Sequence, residues 1–475
     1  MPSVHIAPVV PAELQPGLKR LRSELEVPDG FPPDVLAAAD AAATAPAADD
    51  RADRTDIEFV TIDPEGSMDL DQAVHIAKNG DGYTVHYAIA DVAAWVEPGG
   101  PVDAETHRRG QTFYAPDLRA ALHPPVLSEA AASLLADGKP RPALLWTVEL
   151  DAEGKQTSAT VERTLVTSRA RLSYTEVQHD LDAGEASDSL HLLEIVGRLR
   201  QTIEAERGGV SLETPEQEIT ADGDDWRLEY RAALPVEGWN AQISLLIGAA
   251  AAEIMIAGRI GLLRTLPPAE QWGIDKLRHT AKGLNIDWPG RLSYPDFVRS
   301  LDPTKPAHLA MVTACTVLFR GAGYTAFDGS LPDGNLVHGA LAMHYAHATA
   351  PLRRLVDRYV GETCLALSSG TAVPDWVRAE LPLLPALMAD SDGRAKKYER
   401  GIIDLLEAMV LSTRVGQSFT GTVVEIGKDG TGGIIVIADP AVEARVSGKV
   451  ELGEEATVKL VSADVATGTV KFEVA

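Results

Sequence analysis

Short β-type runs fill the chain from Ile57 to Leu172, helical periodicity dominates from about Tyr174 to Ser412, and β-type runs return at Phe419. This segregation constrains the fold most, because a doubly wound α/β chain would alternate strand and helix at regular intervals. It predicts an α+β protein: a mixed sheet packed with helices, followed by a small all-β barrel. The first strands read as EFVTI at 58–62, AVHIA at 73–77 and YTVHYAIADV at 83–92, with an NGDG turn at 79–82. ALLWTVELD at 143–151 and SATVERTLVTSRARL at 158–172 extend the sheet as a hairpin about the DAEG turn at 151–154. After Phe419 come FTGTVVEI, GGIIVIA, VEARVSG, ATVKLVSAD and TVKFEVA, five runs that fit a barrel of OB type.

Residues 13–27 and 32–42 look helical, and the polar stretch from Pro46 to Asp56 reads as a connector. We therefore expect three units: a short helical extension and linker (1–55), a catalytic body (56–412) and the barrel (417–475). Lys and Arg number 43 against 69 Asp and Glu, a net charge of −26, so the protein as a whole repels polyanions and any nucleic-acid contact has to be local. Two cysteines, Cys315 and Cys364, form neither a disulfide framework nor a zinc motif, which points to a reducing compartment and hence the cytoplasm. The start, MPSVHIAPVVP, lacks the basic and apolar pattern of a signal peptide. The most apolar stretch, Ile243 to Gly258, is interrupted by Glu253 and falls short of the roughly 20 residues a membrane span needs; it reads as a buried helix.

The segment Thr61-Ile62-Asp63-Pro64-Glu65-Gly66-Ser67-Met68-Asp69-Leu70-Asp71-Gln72 joins two strand runs. Pro64 and Gly66 favour a tight turn, and in an extended stretch Asp69 and Asp71 project to one side while Leu70 faces the other. Asp63 can fold back toward the pair. Carboxylates this close repel one another unless a divalent cation neutralises them, and all-oxygen ligation suits Mg²⁺ or Mn²⁺. A solvated acidic turn is the plainer alternative. A calcium loop of EF-hand type is not, since the sixth residue counted from Asp69 is Val74 where that loop needs Gly.

Farther along, HYAHATAPLRR at 344–354 is followed by Asp357 and Arg358. Pro351 is placed to start a helix whose first turn would carry Arg353 and Arg354 beside exposed N–H groups, a phosphate-binding arrangement. The alternative is that these arginines pair with Asp357 on a helix surface. His344 and His347 have no neighbouring ligand motif, so packing or RNA contact suits them better than zinc. Arg394, Lys396, Lys397 and Arg400 stand at helical spacing and fit a solvated face.

Taken together, TIDPEGSMDLDQA at 61–73, AIADVAAWVEPGGPVD at 88–103, RRGQTFYAPD at 108–117, SRARLSYTEVQ at 168–178 and HYAHATAPLRRLVDR at 344–358 resemble the RNB family of exoribonucleases. The resemblance covers roughly 55–410, with an S1-like OB domain after it. It implies hydrolysis of single-stranded RNA from the 3′ end, release of nucleoside 5′-monophosphates, and dependence on Mg²⁺, with Mn²⁺ as an alternative. On the matching positions Asp63, Asp69 and Asp71 would be metal-site carboxylates, and Asp71 the least replaceable. Tyr114 would stack on the 3′-terminal bases, Arg353 would contact the scissile phosphate, and Arg354 would support it or bind a neighbouring phosphate. His347 and Thr349 belong to the same RNA-contacting element.

Three departures from that pattern carry expectations. Gln72 stands where most members have a fourth acid; its amide oxygen can ligate but is neutral, which raises the expected metal requirement. About 55 residues precede the acidic turn, without a counterpart of the family's two cold-shock barrels. Phe419 and Phe472 are the barrel's only aromatics, and LETPEQEI at 212–219 offers no stacking ring, so weaker clamping of RNA is expected.

Overall fold

A computed structural model describes residues 5–6, 11–44, 50–211, 216–222, 225–231, 233–302, 305–334, 336–427, 431–437 and 439–475. The centre is a seven-stranded mixed sheet in the order Ser168–Ser173, Phe59–Asp63, Gln72–Asn79, Gly82–Ala90, Arg141–Leu150, Gln156–Val166, Ala52–Asp53. Consecutive strands pair antiparallel, and the two outermost pairings, made by Ser168–Ser173 and Ala52–Asp53, are parallel. The 158–172 run thus splits into two strands that lie at opposite sides of the sheet.

Period-two alternation explains how the sheet buries both faces. Tyr83, Val85, Tyr87 and Ile89 join Leu144, Trp146 and Val148 in a core shared with the Pro235–Gly258 and Leu355–Ser368 helices. Ala88, Ala90, Ala143 and Leu145 face the other way, into a second core with Phe59, Leu70 and Val92. The Pro235–Gly258 helix is 24 residues, longer than its apolar core suggested and long enough to cross a bilayer by length and composition. Packing decides its place instead: Ile243, Leu246, Ile247 and Ala250 to Ala252 are buried against the sheet and its neighbouring helices.

One glycine on this helix matters for the site. A Cβ on Gly248 would lie 2.1 Å from a ring carbon of Tyr345 and 2.6 Å from the Ala346 carbonyl oxygen. Only glycine lets the 344–354 segment cross the helix this closely, and the Ala346 N–H donates to the Gly248 carbonyl at 3.0 Å.

The region from Tyr174 to Ser412 is less uniformly helical than its periodicity predicts. It contains a hairpin at Glu216–Asp222/Asp225–Arg231, an antiparallel strand pair at Ile260–Thr265/Gly323–Asp328, and the irregular segment that carries residues 344–354. The final 29-residue helix, Leu384–Ser412, packs on the N-terminal Gln15–Glu24 helix and on the barrel. The barrel closes in the order Ser418–Ile426, Gly433–Ile437, Val442–Ser447, Thr469–Val474, Glu455–Asp464. Phe419 and Phe472 are both buried, edge to face at 5.8 Å, so they are core residues and not a stacking surface.

Candidate functional site

The acidic turn leaves the sheet at Asp63 and returns at Gln72. Ser67 N–H closes the turn onto the Pro64 carbonyl at 3.1 Å, and Gly66 takes the positive φ of +81° that the reversal needs. Leu70 is fully buried; its N–H donates to Ser133 Oγ at 3.0 Å and its carbonyl accepts Leu134 N–H at 3.0 Å. With Leu70 pinned inward, Asp69 and Asp71 turn to the opposite side.

Asp71 meets the 344–354 segment there, 282 residues away in sequence. Its Oδ1 accepts Leu352 N–H at 2.7 Å, and Oδ2 lies 3.3 Å from Arg353 Nε. Asp71 is buried, whereas the Arg353 side chain keeps 47% of its surface open to solvent. The segment is held by its neighbours: Thr112 N–H donates to the Arg353 carbonyl at 2.9 Å, and the buried His123 ring uses Nδ1 on the Leu352 carbonyl at 3.0 Å.

Thr112 leads into a short hairpin, Phe113–Tyr114 paired with Arg119–Ala120, in which Tyr114 stands opposite Arg119. Tyr114 is 53% exposed although its strand neighbour Phe113 is buried. It lies within electrostatic range of Arg353, Asp69 and Asp71. An exposed ring beside a solvent-open guanidinium can stack on a base while the cation meets a phosphate.

Burial pushes Asp63 up to about 7, with Arg353 pulling down and Asp69 pushing up. Burial likewise raises Asp71 to about 8, opposed by Arg353 and the Leu352 N–H and reinforced by Asp69. Asp69 is raised by burial, with Arg119 the main opposing charge. The shared cause is carboxylates crowded in low dielectric with too little positive charge near them. Among the described residues, Arg119 and Arg353 are the cations that ion-pair with Asp69, Asp71 and the adjoining Glu129, and Arg353 is the cation that opposes Asp63.

This charge deficit, the all-oxygen donor set and a buried Asp63 Oδ2 without a hydrogen-bond partner fit a hard divalent cation. The side chains do not converge as the spacing predicts. Asp69 is held by Arg119 and Asp71 by Arg353, and among the described residues no group of three or more His, Cys, Asp or Glu stands close enough to hold a metal ion. Gln72, half-buried at the start of its strand, pairs in register with Ile89.

The phosphate-binding helix start does not form. The helix begins at Leu355, and Arg354 precedes it in extended conformation (φ −144°, ψ 122°). Residues 350–353 form a turn whose free N–H groups are taken by carboxylates: Leu352 donates to Asp71, and Ala350 donates to Asp357 Oδ1 at 2.7 Å. Arg354 is committed to Asp357 through both Nε and Nη2, so its neighbour Arg353 is the arginine left facing solvent. His347 uses Nδ1 on the Tyr324 hydroxyl at 2.7 Å and is held neutral by burial and by Arg354 and Arg264; Thr349 is buried. The run from Arg394 to Arg400 is also partly engaged: Arg394 reaches Asp390 and the carbonyls of Arg108 and Arg109, and Arg400 pairs with Asp404. LETPEQEI overlaps residues outside the described set at 212–215.

Sequence reading missed Arg119, Glu129 and Ser133. Arg119 is a single cation after YAPD, and nothing local shows that it meets Asp69, 50 residues earlier.

The RNB domain matches residues 51–367, and the RNase II-type exonuclease C-terminal S1 domain matches 417–475. Ribonuclease R of Escherichia coli is 26% identical over 403 residues, covering 79% of this chain and 49% of the relative; the chain thus spans about half the length of that curated relative. A structure of Mycoplasma genitalium RNase R in complex with ribose-methylated single-stranded RNA superposes with a TM-score of 0.85 at 19% identity, over 98% of this chain and 78% of the other. A yeast pseudonuclease, Ssd1, superposes at 0.67 with 17% identity, over 86% of this chain and 51% of the other. Nucleases with the matched domain generally depend on a divalent metal.

Proposed function

This chain belongs to the RNB family, and we propose on that footing that it hydrolyses single-stranded RNA from the 3′ end, releasing nucleoside 5′-monophosphates. We take it to work with Mg²⁺ or Mn²⁺, in the cytoplasm and as a monomer, through the body at 56–412 with the barrel at 417–475 appended. One observation carries the reading: Asp71 lies 3.3 Å from an Arg353 whose side chain is open to solvent, beside the exposed Tyr114 ring.

Asp63, Asp69, Asp71 and the Gln72 amide oxygen would hold the cation. Activation of the attacking water and stabilisation of the leaving 3′-oxygen are what such an ion supplies when bound. Arg353 places a guanidinium on the phosphoryl oxygens, where it neutralises charge as the phosphorus is attacked. Tyr114 stacks on a terminal base and holds the strand without reading sequence. Asp357 fixes Arg354 and the Ala350 N–H, which keeps the turn bearing Arg353 in place.

Incubating 5′-labelled poly(A) with Mg²⁺ or Mn²⁺ tests this. The wild type is expected to leave a short limit product, and Asp71→Asn to lose about a thousandfold in rate. A second reading, an RNA-binding protein without catalysis, is favoured by Gln72 and by the guanidinium partners of Asp69 and Asp71. A gel shift without degradation by the wild type would establish it over the first.

A further inference from the structure

The acidic cluster contains a cation of its own that the nuclease reading does not use. Arg119 sits on the Tyr114 hairpin and forks its two terminal nitrogens: Nη1 donates to Asp69 Oδ1, and Nη2 to Glu129 Oε1. Glu129 comes from the separate helical turn Leu127–Ala131, so the guanidinium is gripped from two sides. Its backbone is fixed by the hairpin, and its far nitrogen by a residue outside the acidic turn.

A divalent ion draws its oxygen ligands to about 2.0–2.6 Å and gains most from ligands that carry full charge. Asp69 meets that demand poorly here, because a charged, hydrogen-bonded guanidinium already holds one of its oxygens. Asp63 differs, since its Oδ2 is buried and has no hydrogen-bond partner. Three aspartates of similar sequence context therefore present unequal donors: one open, one shared with solvent-facing Arg353, and one tied to Arg119.

We propose that Arg119 is a tethered cation competing with divalent metal for Asp69, and that Glu129 is the positioning residue keeping it there. The inference rests on the metal reading of the acidic turn. It assigns the metal demand of this chain to a charge 50 residues along the sequence from Asp69, in addition to the neutral Gln72.

The test is direct Mn²⁺ binding by the full-length chain, read from the electron paramagnetic resonance signal of free Mn²⁺, with thermal unfolding as the check on folding. Arg119→Met is expected to bind Mn²⁺ about tenfold more tightly, because Asp69 no longer gives up a charge-assisted hydrogen bond on binding the ion. Arg119→Lys, which keeps a charge, is expected to stay near the wild type. Asp69→Asn should cost more Mn²⁺ affinity in the Arg119→Met background, where it abolishes the gain, than in the native background. Unchanged binding in Arg119→Met, an equal gain in Arg119→Lys, or the same loss from Asp69→Asn in both backgrounds would each overturn the proposal. If Arg119→Met does not fold, Arg119→Gln, which also removes the charge, takes its place with the same expectations. RNA degradation by the same wild-type sample separates the two readings: degradation with unaltered Mn²⁺ binding removes only the Arg119 inference, and a binding gain without degradation removes only the nuclease.

Discussion

Two clusters of arginine and carboxylate lie on the same seven-stranded sheet, and they are built differently. In one, Arg51 Nη2 and Arg163 Nε both reach Asp91 Oδ2, at 2.8 and 3.0 Å, while Arg163 also holds Glu362. Two buried carboxylates face two guanidiniums, and the side chains of Asp91 and Arg51 are almost wholly enclosed. In the other, four carboxylates face Arg119 and Arg353, and Arg353 opens to solvent; a buried carboxylate oxygen without a hydrogen-bond partner occurs in both, Asp91 Oδ1 in the first and Asp63 Oδ2 in the second. A cluster whose charges balance stabilises one geometry. An unbalanced, open one leaves room for further positive charge and for a phosphate. The difference separates a structural ion-pair network from the candidate site, although residue types are alike.

That contrast can be broken most sharply by paired substitutions. Asp71→Asn is expected to abolish RNA degradation while thermal stability holds, because Asn keeps an acceptor for the Leu352 N–H and removes an unfavourably buried charge. Asp91→Asn should do the reverse, costing about 3–5 kcal/mol in urea unfolding with activity per folded molecule retained. A catalytic loss without destabilisation in Asp91→Asn would end the distinction. Tyr114→Ala is expected to weaken RNA binding by about 1–3 kcal/mol, equally for all sequences, and to alter the limit product; fluorescence anisotropy with several homopolymers checks this.

A smaller effect sharpens the comparison at the barrel seam. Glu407 is buried there and accepts the Glu443 N–H at 3.1 Å, and burial raises it from 4.5 to about 7 in spite of Arg400. The folded state then binds this proton more tightly than the unfolded chain, so its contribution to stability falls as pH rises from about 4.5 to about 7 and is level above. Glu407→Gln keeps the acceptor, removes that slope, and should stabilise by about 1–3 kcal/mol at pH 8. Melting curves across that range would reveal an unchanged slope if Glu407 were not the cause.

Much of the fold was legible because its signals are local. The β-type run YTVHYAIADV marks a strand, which the structure buries on both faces, and five short runs after Phe419 mark the closed barrel. The candidate site was legible in part. DLD places Asp69 and Asp71 on one side of Leu70, and LRR brings in the arginine that meets Asp71. The roles within LRR were not separable, since Arg353 and Arg354 are chemically identical neighbours. Only the turn before Leu355 sends one to Asp357 and leaves the other on Asp71.

Sequence by itself determined the α+β order, the terminal barrel and the residue types gathered at the acidic turn, because periodicity and turn chemistry act over a few neighbouring residues. Tertiary structure alone decided which charges are answered. The pairing of Asp71 with Leu352 and Arg353, the capture of Asp69 by Arg119, and the partnerless oxygen of Asp63 depend on segments 50 to 282 residues apart meeting in space. Coulomb energies depend on distance and dielectric, and both are properties of the packed molecule.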